Sequence, residues 1–305
     1  MEQIINFNQH YFAKTKDKDQ YYIINGKKSF KYNQDLSQKN HRTISGFHSY
    51  GHLYEPDIGN FLVRIIRPGD VCVDVGANIG MHTLLMASLN ADKTENNADK
   101  TEKSKIISFE PNEKCYNELK KNIKLNNYKT VEVRQKLLGE KPGGESFYHA
   151  SEQDSGTSYA LEKIDDQSLN WEKVKTSTLD KELKHEKSIK VLKMDVEGFE
   201  GNVLRGSMNL LEKDLIRYWI IEYAPHCLAR NNDSLDTLRT LMEKYNLEMF
   251  ILDPNGGLPK FIPNKVAIKA CTIPNLLFTK TKHLNEDWVM EDIENHIKPK
   301  SLWPM

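Results

Sequence analysis

Five short stretches hold the residue types that could do chemistry together: Asp74-Val75-Gly76-Ala77-Asn78-Ile79-Gly80, Glu110-Pro111-Asn112, Gln135, Asp195-Val196-Glu197-Gly198 and Glu222-Tyr223. Four of the five carry a carboxylate, which can accept hydrogen bonds from hydroxyls, face a cation or take a proton. Gly76 and Gly80 bracket a turn in which the backbone must come close to a ligand, where a Cβ would obstruct it. A dinucleotide fingerprint needs G-x-G-x-x-G and a phosphate loop needs G-x-x-x-x-G-K followed by Ser or Thr. Here Asn78 stands where a second glycine would be and no lysine follows Gly80. Such a turn, with Asp74 just before it, suits a ligand with a cationic end better than a pyrophosphate. Glu110 fits the two hydroxyls of a ribose better than the role of a helix N-terminal acid, which Pro111-Asn112 would also allow. A ribose without a phosphate pocket points to S-adenosylmethionine.

These residues need a scaffold that brings them to one edge. Val71 to Val75, Lys105 to Glu110, Thr130 to Arg134, Ser188 to Val196 and Leu215 to Tyr223 are short runs rich in β-branched residues. Helical patterns stand between them, with Met81, Leu84, Leu85 and Leu89 on one face of the first and Tyr116, Leu119 and Ile123 on one face of the second. Alternating strands and helices mean a mostly parallel sheet covered on both faces, an α/β class, and ligands then bind at the carboxyl ends of the strands. Later strands are expected at EMFIL and NLLFTK, after a helix over DSLDTLRTLMEKYN. Before the sheet, Ile58, Phe61, Leu62 and Ile65 mark a helix that Arg67-Pro68-Gly69-Asp70 ends. Its start, Tyr54-Glu55-Pro56, could close over a cofactor or an acceptor.

The boundaries follow. Residues 1–53 read as an N-terminal arm with a hairpin around Asn25-Gly26, in a tight two-residue turn. Residues 54–282 form the main domain and 283–305 a C-terminal tail. Within the main domain, 91–104 holds a tandem duplication, ADKTENN then ADKTEKS, with nothing to bury and hence a solvated loop. Residues 143–178 read as an inserted hairpin and loop, whose Asp154–Ser158 stretch is either an acceptor lid or a plain turn.

The combination VDVGANIGMHT, FEPN, KMDVEGFEGNVLRG and IIEY resembles the FkbM-type S-adenosylmethionine-dependent methyltransferases over about residues 55 to 223, and on toward the last strand near 280. The resemblance implies a class I methyltransferase Rossmann-like fold, with a seven-stranded sheet whose last strand is antiparallel. It implies O-methylation of a sugar, glycan or related small-molecule hydroxyl, sometimes a carboxyl. By matching positions, Asp74, Gly76, Asn78 and Gly80 line the methionine end of the cofactor and Glu110 holds the ribose. Gln135 is either a contact to the adenine edge or a polar loop residue. Asp195 and Glu197 fall near the transferred methyl. Asp195 is expected as general base or as the group that orients the acceptor, with Glu197 second or else a helix-capping acid. His226 lies close to the fifth tip and titrates near neutral pH, although a loop histidine is more often simply solvated.

Composition removes other classes. The 305 residues carry 43 Lys+Arg and 43 Asp+Glu, a zero balance that argues against gripping nucleic acid by charge alone. No apolar run approaches a membrane span, and Glu2 and Asn6 interrupt any signal-like start, so the expectation is a cytoplasmic protein. Cys72, Cys115, Cys227 and Cys271 form no C-x-x-C pair, which points to reduced thiols. His48 and His52 have metal-ligand spacing, but Gly46, Ser49 and Gly51 disfavour a helix there, so no metal is assigned to them. A magnesium ion on Asp195, Glu197 and Glu222 is left open. Three rivals stand beside the methyltransferase: an RNA methyltransferase on the same scaffold, a non-catalytic binding protein that keeps the fold, and, weakest, a dehydrogenase.

Overall fold

The computed structural model describes residues 4–7, 10–14, 19–24, 28–33, 35–49, 52–91, 104–149, 157–162, 171–263, 266, 268 and 274–287. Its centre is an eight-stranded sheet. In chain order the main strands are β5 (Val71–Val75), β6 (Lys105–Phe109), β7 (Val131–Arg134), β12 (Ile189–Met194), β13 (Ile216–Glu222), β14 (Glu248–Ile251), β15 (Lys260–Phe261) and β16 (Asn275–Thr279). Across the sheet they lie in the order β15-β14-β16-β13-β12-β5-β6-β7. β5, β6, β7, β12 and β13 run parallel, and β16 runs antiparallel between β13 and β14. The fold is therefore the expected α/β sheet with its last strand reversed. One correction applies: the two-residue β15 pairs with the edge of β14 and adds an eighth strand to the expected seven.

Both faces of the sheet are covered, as period-two alternation requires of a buried parallel strand. Cys72, Ile106, Val191, Tyr218 and Ile220 join a core with α2 (Pro56–Ile65), α3 (Met81–Asn90) and α4 (Glu113–Leu125). Val73, Val75, Ile107, Leu192, Trp219 and Ile221 join the opposite core with α6 (Glu200–Arg205), α7 (Met208–Glu212) and α9 (Leu235–Glu243). The α2 residues Ile58, Phe61, Leu62 and Ile65 are all buried. Among the described residues no helix is long and apolar enough to cross a membrane, and Cys72, Cys115 and Cys227 are free thiols; Cys271 lies outside the described residues.

The N-terminal arm holds more structure than one hairpin. β1 (Ile4–Phe7), β2 (His10–Lys14), β3 (Asp19–Ile24) and β4 (Lys28–Asn33) form a four-stranded antiparallel sheet. Ile24 pairs with Lys28; Asn25 and Gly26 of the expected turn lie outside the described residues. β4 is fastened to α4: Asn122 Oδ1 accepts the Asn33 N–H at 2.8 Å and Asn126 bonds the Lys31 backbone. α1 (Lys39–Ser49) runs through Gly46, against the expectation that glycines forbid a helix there. His48 is buried on Tyr32, whose hydroxyl is 3.0 Å from its Nδ1, while His52 is exposed outside the helix, so the two histidines form no pair.

The 143–178 insertion is a small sheet rather than a single hairpin. β9 (Glu145–His149), β10 (Tyr159–Leu161) and β11 (Glu172–Ser177) join β8 (Leu137–Leu138) in the order β10-β9-β11-β8. The duplicated segment 92–103 lies outside the described residues, as do residues 154–156 of the expected lid. Past β16, α10 (Thr281–Asp287) begins the tail as a helix.

Candidate active site

At the end of β5 the chain turns sharply into α3. The N–H groups of Gly76 and Ala77 both donate to the Phe109 carbonyl, each at 3.0 Å, which ties the turn to the tip of β6. Gly76 has φ +77°, and a Cβ there would run into the backbone oxygen of Asp195. A Cβ on Gly80 would run into Leu119. Both glycines thus serve the close approach of protein to protein, β5 tip to β12 tip and α3 to α4, and both also line the cleft into which the turn opens. Asn78 adopts φ +50°, a region asparagine tolerates, and its Oδ1 caps the Ile79 N–H at 2.8 Å.

Glu110 fastens the same turn from below. Its Oε2 accepts the Asn78 N–H at 2.7 Å and its Oε1 the Asn112 N–H at 2.8 Å. Each oxygen retains capacity for one more donor. Burial pushes its carboxyl up to about 7 against the pull of those two backbone bonds. Glu200 braces the turn after β12 in the same way, accepting from Val196 and Gly198, and burial again pushes it up to about 7.

These turns floor a cleft of about 960 Å³, counting its open mouth. Gly76, Asn78, Gly80, Glu110, Asp195 and Glu197 line it, so six of the nine sequence-predicted residues come together. Three do not. Asp74 is one residue short of the β5 tip, and strand alternation turns its carboxylate under α3. There Oδ2 accepts the Thr83 hydroxyl at 2.6 Å and Oδ1 lies 3.9 Å from Lys193. Gln135 is exposed, with only a 3.5 Å contact to the Pro111 carbonyl. His226 sits exposed in the first turn of α8 (Pro225–Leu228), outside the cleft.

The structure adds residues that spacing did not reveal. Glu55 and Tyr54 enter the cleft from the start of α2, Asn40 and Ile44 from α1, and Tyr148, Ser158 and Tyr159 from the small sheet. Lys193 lies on the floor with its ammonium 3.0 Å from Asp195 Oδ2. Burial alone would lower it, yet Asp195, Asp74 and Glu55 hold it well above the ordinary lysine value. The carboxylates around it outnumber it. Burial, then the charge of Asp195, pushes Glu222 up to about 11 and Glu197 up to about 8. Burial likewise pushes Glu55 up to about 8. The Tyr54-Glu55-Pro56 helix start was the one signal in the sequence that could have led to Glu55.

The cleft has two unlike ends. A single buried acid, Glu110, lies at the β6 tip beside the apolar Pro111, Leu137 and Leu138, and a cluster of acids lies at the β12 and β13 tips. Comparisons with known proteins bear on the family. The model of the methyltransferase FkbM domain matches residues 74–249. A protein of Beauveria bassiana named Methyltransferase 1 is 27% identical over 205 residues, 61% of this chain and 76% of its own. Among solved structures, the fibrillarin of Aeropyrum pernix, with natively bound S-adenosyl-L-methionine, aligns at 10% identity and a TM-score of 0.40 over 92% of this chain and all of its own. An S-adenosylmethionine-dependent methyltransferase of Aquifex aeolicus aligns at 10% identity and a TM-score of 0.40 over 80% of this chain and 93% of its own. With the family model spanning more than half its length, this chain belongs to the FkbM methyltransferase family.

Proposed function

We propose that the chain moves the methyl group of S-adenosylmethionine to a hydroxyl, or a carboxyl, oxygen of a sugar, glycan or other small molecule. The observation that carries this is the two-ended cleft itself: Glu110 at one end and the acids around Asp195 at the other. A ribose diol meets an acceptor in Glu110, adenine meets Pro111 and Leu137, and the ammonium and sulfonium charges meet carboxylates. The donor set of the cleft therefore fits this cofactor.

When bound, the cofactor supplies a methyl already activated on a sulfonium sulfur. What remains for the protein is to align an acceptor oxygen and receive its proton. Transfer of that methyl would join it to the acceptor oxygen and leave the bonding pair with sulfur, and a carboxylate of the chain would take the proton the oxygen gives up. We assign to Asp195, whose position Lys193 fixes through its 3.0 Å bond, the part of taking that proton or of orienting the acceptor, and place Glu197 second for the proton. Alignment supplies much of the barrier reduction, and the base about 10²–10⁴-fold more. His226, exposed outside the cleft, has no part in this step.

The test is calorimetric titration with S-adenosylmethionine, S-adenosylhomocysteine and NAD, followed by a screen of hydroxyl acceptors. Both adenosyl ligands are expected to bind and NAD to leave no heat. Asp195→Asn is expected to keep the fold and slow turnover about 100-fold. No binding of either adenosyl ligand would leave the non-catalytic reading in its place.

A further inference from the structure

Glu55, Asp195 and Glu222 come from three separate elements, the start of α2 and the tips of β12 and β13. Each places one carboxylate oxygen so that all three atoms lie within 4.8 Å of one another. Oxygens bound to an octahedral magnesium or manganese ion are about 3.0 Å apart when adjacent and about 4.2 Å apart when opposite, from metal–oxygen bonds of about 2.1 Å. Small side-chain adjustments would therefore bring the three onto one ion.

Two further observations point to a cation. The nearest ammonium, Lys193, is already divided between Asp195 Oδ2 at 3.0 Å and Asp74 Oδ1 at 3.9 Å. It engages one oxygen of Asp195 and is hydrogen-bonded to neither Glu55 nor Glu222. The second is His82 on α3. Its side chain is only 5% exposed and its Nε2 is buried without a hydrogen bond, yet it lies 3.5 Å from Glu55 Oε2. A buried ring nitrogen left unsatisfied is costly, and here it faces the ligand set.

We propose that Glu55, Asp195 and Glu222 bind one divalent cation of the magnesium or manganese type, with His82 positioning the Glu55 carboxylate. The set is all oxygen and contains no thiolate or imidazole ligand, which selects a hard ion over zinc. Three carboxylates leave about three coordination positions for water or for neighbouring oxygens of an acceptor. The sequence left open such an ion on Asp195, Glu197 and Glu222. The structure replaces Glu197 with Glu55, because the turn after β12 points Glu197 toward Cys227, 3.6 Å from its Sγ. The inference stands on this carboxylate geometry and not on methyl transfer.

The test uses the full chain, stripped with EDTA and titrated with manganese chloride alone, reading free Mn²⁺ by electron paramagnetic resonance. One ion per chain is expected to bind at submillimolar concentration and to be displaced by magnesium chloride. Glu55→Gln and Glu222→Gln are each expected to weaken binding at least tenfold, and His82→Ala by about 10–100-fold. Circular dichroism and thermal midpoints confirm that each variant is folded. Wild-type protein that leaves Mn²⁺ free up to about millimolar levels overturns the site, whatever the variants do. So do folded variants that bind as wild type does. Because S-adenosylhomocysteine binding is measured separately, loss of one reading leaves the other standing.

Discussion

Glu110 carries the sharpest consequence of any one residue. Its carboxyl, normally near 4.5, is pushed up to about 7 by burial, so it is mostly protonated at pH 6 and mostly ionised at pH 8. Only the ionised form offers both oxygens fully to the ribose hydroxyls. Affinity for S-adenosylhomocysteine should therefore rise about tenfold from pH 6 to pH 8. The stability effect has the opposite sign. A raised native value means the folded chain holds a proton that the unfolded chain has lost, so the unliganded protein loses stability as pH climbs from 4.5 to 7. In Glu110→Gln the part of the pH dependence centred near 7 should vanish and affinity fall about tenfold or more. Calorimetry at pH 6, 7 and 8 reads both, and a flat wild-type profile would remove Glu110 from the ribose. The residues legible in the sequence were those that sit at a strand tip inside one motif, Gly76, Asn78, Gly80, Glu110, Asp195 and Glu197. Asp74 misled because one step back along a strand reverses the face. Glu55 was legible only as part of a helix start that could close over the cleft, while Tyr148 and Tyr159 were illegible because elements far away in sequence deliver them.

At the scale of elements, the site depends on turns that are wired to each other. The β5 turn hangs on the Phe109 carbonyl and on Glu110, and the β12 turn on Glu200. Gly76 is the contact between the two, with no room for a Cβ beside the Asp195 carbonyl. Gly76→Ala combines a positive φ with a backbone collision, and should cost about 3 kcal/mol or more. Because the collision displaces Asp195, cofactor binding should be lost even in molecules that remain folded. Urea unfolding and S-adenosylhomocysteine titration of the variant check this, and wild-type stability would show that the two tips can separate freely. The central strands were legible because each is a compact β-branched run with a helix after it. α1 was not, since the burial of Ile44 and His48 outweighs the cost of Gly46 in mid-helix, about 1 kcal/mol. In the arm and in the small sheet only one hairpin each was legible, because the remaining strands owe their existence to pairing that no local pattern announces.

Across the whole molecule, a zero net charge hides a division of labour between the two ends of the sheet. At the amino ends, charges are matched. Lys190 from β12, Arg217 from β13 and the Tyr218 hydroxyl all donate to Asp287 Oδ2 of α10, at 2.6, 2.6 and 2.8 Å. At the carboxyl ends, acids exceed bases, a configuration that costs stability and suits a cationic ligand. The two ends should therefore fail separately. Burial would raise the Asp287 carboxyl, but Lys190, Tyr218 and Arg217 hold it below the ordinary aspartate value. Its contribution is thus present above the ordinary value of 3.8 and lost as pH falls through the lower native one. Its partners are partly exposed, which limits the loss in Asp287→Ala to about 1–2 kcal/mol. That corresponds to a fall of a few degrees in Tm, accompanied by S-adenosylhomocysteine affinity within about twofold of wild type. Calorimetric unfolding and titration of the same sample decide it. A parallel fall in affinity would mean that the sheet transmits strain from its amino ends to the cleft, and that the separation is not real.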